Sequence, residues 1–245
     1  MPKSQIIKDV VESLVSLEQS LTRLYVIAGD LNNTQLAQWA TQELNGYRKD
    51  ATVPEYRKAR CYLLYYSGIN GQFQVTNAPL PKGWLRPEIA EFVSNVMILD
   101  GIRSVEGFAS SEKGATTYRS ELAGDVSAAT QGEVMCSSIT QIIPASIFQA
   151  VCSEVRLKIV TALTELEKQY GCLDDLGIDI SDKKPQQIQA QNDKLNQIIF
   201  NVNLPAPYDQ KTPWYSKIAW RIVVPIIVGV LCTVITALVI KLLGL

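Results

Sequence analysis

Apolar residues recur at spacings of three and four near the start of the chain, at Ile7, Val10, Leu14, Leu17, Leu21, Leu24, Ala28 and Leu31. Side chains so spaced fall on one face of an α-helix and form a heptad-like seam. The seam contains no Pro, and no Gly before Gly29. Ser16-Leu17-Glu18-Gln19 reads as a weak capping box, so the segment is either one long helix or two helices broken at Ser16. Such a seam suits core packing first and an intermolecular coiled coil second. Asn32 or Asn33 caps a following helix that carries Leu36, Trp39, Ala40 and Leu44 and ends at Asn45-Gly46.

The pattern then changes. Residues 59–67 and 71–77, separated by Gly68-Ile69-Asn70, suit a β-hairpin. Pro79, Pro81 and Gly83 interrupt the chain, and a helix starts at Pro87 with Ile89, Phe92, Val93, Val96 and Leu99 at helical spacing. Residues 109–132, rich in Ser, Thr, Ala and Gly, read as a loop or mobile insertion. Val134–Ile143 reads as a strand stopped by Pro144. The clearest helix of the soluble part is Ser146–Tyr170, with Phe148, Cys152, Val155, Ile159, Ala162 and Leu166 on one face. Asp182 and Pro185 signal one more helix, polar with a thin stripe of Ile188, Leu195, Ile198 and Val202. That stripe suits a stalk or an oligomer seam.

The C-terminal pattern differs in kind. Ile222–Ile240 is a run of 19 residues without a charge. As a helix it is roughly 28 Å long, close to the hydrocarbon thickness of a bilayer. Trp214, Tyr215 and Trp220 stand at its entrance, Lys211, Lys217 and Arg221 precede it, and Lys241 follows it. Interfacial aromatics and positive charge on the N-terminal side predict a single-pass membrane anchor with the large domain cytoplasmic. The expected organisation is α+β. It comprises a helix-rich cytoplasmic module with a small antiparallel sheet over 1–170, a linker and stalk helix over 171–213, and a transmembrane anchor or pore helix over 214–245.

Composition mainly excludes. Lys and Arg number 23 against 24 Asp and Glu, so no global basic field advertises nucleic acid. The chain has no histidine, which removes His-ligated metals, Ser-His and Cys-His nucleophiles and a histidine general base. Cys61, Cys136, Cys152, Cys172 and Cys232 form no CxxC and read as reduced thiols. No phosphate-cradling glycine loop occurs, and no cofactor is expected. Asp174, Asp175, Asp179 and Asp182 are dense, but lack the spacing of a calcium loop and read as a solvated linker with a helix cap. An enzyme would need carboxylate-only metal chemistry, so no enzymatic activity is expected.

Residues 24–60 resemble the AbiTii-type module of bacterial phage-defence proteins. The matching positions are Ala28, Leu31, Asn32, Leu36, Trp39, Glu43, Leu44, Gly46, Tyr47, Pro54, Tyr56 and Arg57, with weaker echoes at Asp100–Glu106 and Val151–Lys168. The resemblance spans about residues 1–170 and departs from the pattern at 109–132. Joined to a membrane helix, such a module resembles the Hailong-type membrane effectors of bacterial immunity. The resemblance implies an antiphage channel whose opening causes growth arrest. It also implies gating by a single-stranded oligodeoxyadenylate, supplied by a partner nucleotidyltransferase.

Two sets of residues fit that implication. The segment 47–66 holds Arg48, Lys49, Arg57, Lys58 and Arg60, together with Tyr47, Tyr56, Tyr62, Tyr65 and Tyr66. Cations neutralise phosphates and aromatic faces stack bases, so Arg48, Lys49, Tyr56, Arg57, Lys58 and Arg60 are candidate contacts for a single-stranded nucleotide ligand. Two alternatives stay open: Arg57 pairing with Glu55 or Glu43, and Tyr62 and Tyr66 packing on one strand face. Lys113, Tyr118 and Arg119 are second-tier candidates. In the C-terminal run, Gly229, Thr233 and Thr236 form a small, weakly polar stripe, and the missing N–H of Pro225 predicts a kink. One helix cannot enclose a pore, so a channel requires a homo-oligomer in membrane lipid, lined by Arg221, Gly229, Thr233, Thr236 and Ile240. The alternative is a tail-anchored scaffold that recruits a soluble partner through the heptad seam.

Overall fold

The computed structural model describes residues 3–175 and 177–200. The seam divides into α1 (Gln5–Val11) and α2 (Leu17–Asp30). Ser13 takes a positive φ between them, and the Ser16–Gln19 capping box closes in both directions. Asn33 caps α3 (Thr34–Asn45) by accepting the Leu36 N–H. All the predicted seam positions are buried except Leu14, which lies in the break and is 66% exposed. The seam therefore packs within its own chain.

Downstream come β1 (Lys58–Arg60), β2 (Leu64–Asn70), β3 (Phe73–Pro79), α4 (Pro87–Ser94) and β4 (Asn95–Met97). They are followed by α5 (Ile102–Ser110), β5 (Ala115–Tyr118), α6 (Ala123–Ala129), β6 (Val134–Ile143), α7 (Ala145–Tyr170) and α8 (Pro185–Phe200). The main sheet is antiparallel in the order β3-β2-β6-β5, and β1 and β4 form a separate antiparallel ribbon. Two hydrophobic cores result. One joins the faces of α1, α2, α3, α5, α7 and α8, and the other packs Leu64, Tyr66, Val134 and Ile139 of the sheet against Leu85, Ala90, Val93, Leu122 and Val126.

The α+β class and the small antiparallel sheet are as expected; several boundaries are not. Gly68-Ile69-Asn70 is strand, not turn, and the hairpin reverses at Gly71-Gln72. Gly68 sits at a bulge where a Cβ would lie 2.0 Å from the Met135 carbonyl oxygen, so its glycine serves close strand approach. The helix from Pro87 stops at Ser94, because Asn95–Met97 pairs with Lys58–Arg60; Val96 thereby leaves the helical pattern for the ribbon. Residues 109–132 are ordered as the end of α5, β5 and α6, whose small side chains leave almost no periodic signal apart from Val126. The expected stalk is part of the module: α8 buries Leu195, Ile198 and Ile199 in the helical core against α7 and α3. Among the described residues no helix is long and apolar enough to cross a membrane. The run 222–240 and its pore candidates Arg221, Gly229, Thr233, Thr236 and Ile240 lie outside the described residues.

Candidate functional site

Helix α3 places Leu36, Trp39, Ala40 and Glu43 on one buried face. A carboxylate on such a stripe needs charge and hydrogen-bond partners, because an isolated buried ion costs several kcal/mol (about 3–5 when one partner of a pair is removed). Glu43 finds four. Its Oε1 accepts from Tyr47 Oη and Tyr56 Oη, each at 2.6 Å, and the Arg57 guanidinium donates to both carboxylate oxygens through Nε and Nη2. Glu43 and Arg57 are both fully buried. Arg57 Nη1 donates to the carbonyls of Ile98 at 3.1 Å and Asp100 at 2.7 Å, and the guanidinium lies 5.0 Å from the Tyr47 ring centroid. Trp39 Nε1 donates to Tyr56 Oη at 3.0 Å, which completes the chain.

Two glycines make this possible. A Cβ on Gly46 would stand 2.5 Å from Leu99 O, and one on Gly101 would stand 2.4 Å from Leu44 O. The two backbones cross at that point, with Tyr47 N–H donating to Leu99 O at 2.7 Å, and so the Ile98 and Asp100 carbonyls reach Arg57. Burial, and then the Glu43 charge, pushes both tyrosine hydroxyls far above their ordinary range, so they stay protonated donors.

The network continues to α8. Lys158 lies on the buried face of α7, beside Val155, Ile159 and Ala162. Its Nζ sits 5.4 Å from the Tyr56 ring centroid and donates to Ile199 O at 2.9 Å and Ile198 O at 3.5 Å. A cation at the last carbonyls of a helix satisfies groups that have no partner within it and opposes the negative end of its dipole. Lys158 thus holds the C-terminal turn of α8.

The six candidate ligand contacts are separated by this arrangement. Arg57 is fully buried and Tyr56 half-buried, and the polar groups of both are bonded within the network; the pairing of Arg57 with Glu43 is the alternative that holds. Lys58 and Arg60 are exposed on the outer face of the ribbon, where Lys58 pairs with Glu55 at 2.6 Å and Arg60 grips both Glu91 oxygens at 2.8 Å. With Phe92, Asn95 and Met97 they line a groove of about 560 Å³. Arg48 and Lys49 stand exposed on the turn after Tyr47; Arg48 pairs with Asp50 at 3.1 Å, and Lys49 meets no carboxylate among the described residues. Tyr66 packs edge-on against Trp84, and Arg119 is held by Gln141. Tyr62 lies outside the strands, so it shares no strand face with Tyr66, but it packs against the same core as Tyr66.

The aspartate-rich segment has structural work. Asp174 accepts from the N–H groups of Gln5 and Ile6 at the start of α1, and Asp179 accepts from Ser181 N–H. Nearby, Glu167 accepts from Lys3 Nζ, Ser4 N–H and Ser4 Oγ. Burial pushes its carboxyl upward, but these hydrogen bonds and the Lys3 charge outweigh it and lower the pKa from 4.5 to about 2. Among the described residues no cluster of Cys, Asp and Glu has metal-binding geometry. Cys61, Cys136, Cys152 and Cys172 are free thiols, and burial pushes Cys152 up to about 11.

Glu43 and Lys158 carry this architecture, and each was visible as a charge interrupting an apolar helical stripe. The helical pattern marks such a position without naming its partner, because the hydrogen-bond partners, Tyr47 apart, come from 13 to 41 residues away. No curated protein and no solved structure matches the chain. The sequence pattern of the AbiTii family matches residues 4–192, a span that holds Glu43 with its tyrosine and arginine partners and the first half of α8. The chain therefore belongs to the AbiTii family.

Proposed function

We propose that the chain acts in abortive-infection antiphage defence, to which its family membership points, as an oligomeric membrane effector. In this reading the AbiTii module lies in the cytoplasm of a bacterial cell, and the run 222–240 crosses the inner membrane. One helix from each copy contributes to a channel lined by Arg221, Gly229, Thr233, Thr236 and Ile240. Opening dissipates the membrane gradient and arrests growth. The observation that carries the reading is the uncharged 19-residue run that follows the AbiTii match in one chain.

The gating signal in this proposal is a nucleotide or single-stranded oligodeoxyadenylate made by a partner nucleotidyltransferase. Of the candidate cations, Lys49, which meets no carboxylate among the described residues, carries the proposed phosphate contact, and Arg48 joins it by exchanging Asp50 for phosphate. Lys58 and Arg60 already face Glu55 and Glu91, and Arg57 is buried. A ligand shifts the gate only by its difference in affinity for the two states. The scaffold reading loses its basis, since the seam meant to recruit a partner is buried in the chain's own core.

The test is ion flux from liposomes containing the full chain, with and without oligodeoxyadenylate. The expected result is a flux that changes with the oligomer. Arg48→Glu with Lys49→Glu should remove that response and leave membrane insertion intact. Absence of any flux sinks the channel; flux indifferent to the oligomer sinks the signal; an unaltered response in the double variant sinks the contact.

A further inference from the structure

The β1–β4 ribbon presents two faces of different character. Val96 turns inward to the core, while Lys58, Met97, Arg60 and Asn95 share the outer face, with Lys58 opposite Met97 and Arg60 opposite Asn95. Phe92, on the outer side of α4, joins them. Phe92 is 68% exposed and Met97 53%, two large apolar side chains lining one groove. Each ribbon strand has a hydrogen-bonded neighbour on one side only.

The charges around these two side chains form a pattern. Glu55 and Lys58 pair at one end, and Arg60 and Glu91 pair at the other. The patch is neutral, so it offers little to a polyanion. It is also self-complementary: a two-fold rotation brings the Arg60–Glu91 end of one copy over the Glu55–Lys58 end of another, and each cation meets a carboxylate. A closed two-fold contact requires a surface of this kind, in which the same patch recognises itself.

We infer that this face is a contact between two copies of this chain. Phe92 and Met97 of each copy bury against the other, Arg60 exchanges or shares Glu91 for the partner's Glu55, and Lys58 does the same with the partner's Glu91. The apolar centre supplies the burial and the charged rim sets the register. The contact stands whether or not the C-terminal run forms a pore.

The experiment uses the full chain with the photoreactive residue p-benzoylphenylalanine at position 92, expressed as a mixture of isotopically light and heavy copies. Irradiation should produce a dimer whose mixed-isotope adducts map to residues 55–60 or 91–97. Two charge variants, Lys58→Glu with Arg60→Glu and Glu55→Lys with Glu91→Lys, sharpen it. Each expressed alone should lower the dimer yield by about tenfold, since like charges then face one another. Co-expressed, the two should restore it. The replaced side chains are exposed, so both variants should keep the parental melting temperature. Adducts only within one chain, adducts with residues 201–245 or with another protein, no adduct, or no recovery on co-expression would each overturn the inference.

Discussion

Arg57 and Arg60 stand three positions apart, yet they inhabit different physical worlds. Arg57 is fully buried, with its donors directed to Glu43 and two backbone carbonyls. Arg60 lies in water, with a side chain 70% exposed, on the face of a ribbon. Both are arginines bonded to a glutamate. In the first site, desolvation makes each missing partner expensive; in the second, water and salt stand ready to replace it. An ion pair is thus a structural determinant in one region and a surface adornment in the other, and burial decides which.

Breaking the buried site gives the largest effect. Glu43→Ala leaves the Arg57 charge unpaired in the core and should destabilise the module by about 3–5 kcal/mol, measured by denaturant unfolding of the full chain in detergent. A loss below about 1 kcal/mol would remove the contrast with the surface pair. Tyr56→Phe keeps the ring under Lys158 but withdraws one donor from Glu43 and the acceptor of Trp39 Nε1. It should cost about 1–3 kcal/mol in the same assay, the usual penalty for an unsatisfied buried group.

An intermediate case lies at the N-terminus, where Glu167 ties down Lys3 and Ser4. Its carboxyl sits at about 2 in the folded protein against an ordinary 4.5. A depressed pKa means that the stabilisation is complete above the ordinary value and is lost as the pH falls through the folded one. Amide exchange over residues 4–11 should therefore accelerate as the pH drops from 4.5 toward about 2, after correction for intrinsic exchange. Glu167→Gln should abolish that pH dependence; a transition unchanged in the variant would assign it elsewhere, with Asp174 at the start of α1 the first place to look. At the small end, Arg60→Ala should alter stability by less than about 1 kcal/mol, as exposed ion pairs do. A loss of several kcal/mol there would erase the distinction between the two arginines.

Much of the local structure was legible in the residues. The Ser16 capping box, the Asn33 cap, the strand Val134–Ile143 and the long helix ending at Tyr170 all form where their signals stand. These signals are short-range: a cap is satisfied within a turn, and a periodic stripe repeats every few residues. Weak patterns hid other elements. In residues 109–132 the strand Ala115–Tyr118 is recruited by its pairing with β6, which its own small and polar side chains scarcely announce. Helix α4 ends at Ser94 against a continuing apolar rhythm because β1 claims the next residues. In the site, Glu43, Tyr47, Tyr56 and Arg57 were all present in the family-like stretch, but their convergence on one carboxylate was not.

The sequence by itself determined where several helices begin, which faces turn inward, that these residues include no histidine, and that an uncharged run spans 222–240. The tertiary structure alone decided which charges are buried. Residue identity specifies a charge and its spacing, while the crossing of backbones at Gly46 and Gly101, which no local pattern encodes, creates the dry enclosure around Arg57. It also decided that α8 belongs to the module, since a thin apolar stripe packs equally well on any matching face until Lys158 fixes its last turn. Local signals report the conformation of a segment; the energy of a charge depends on everything packed around it.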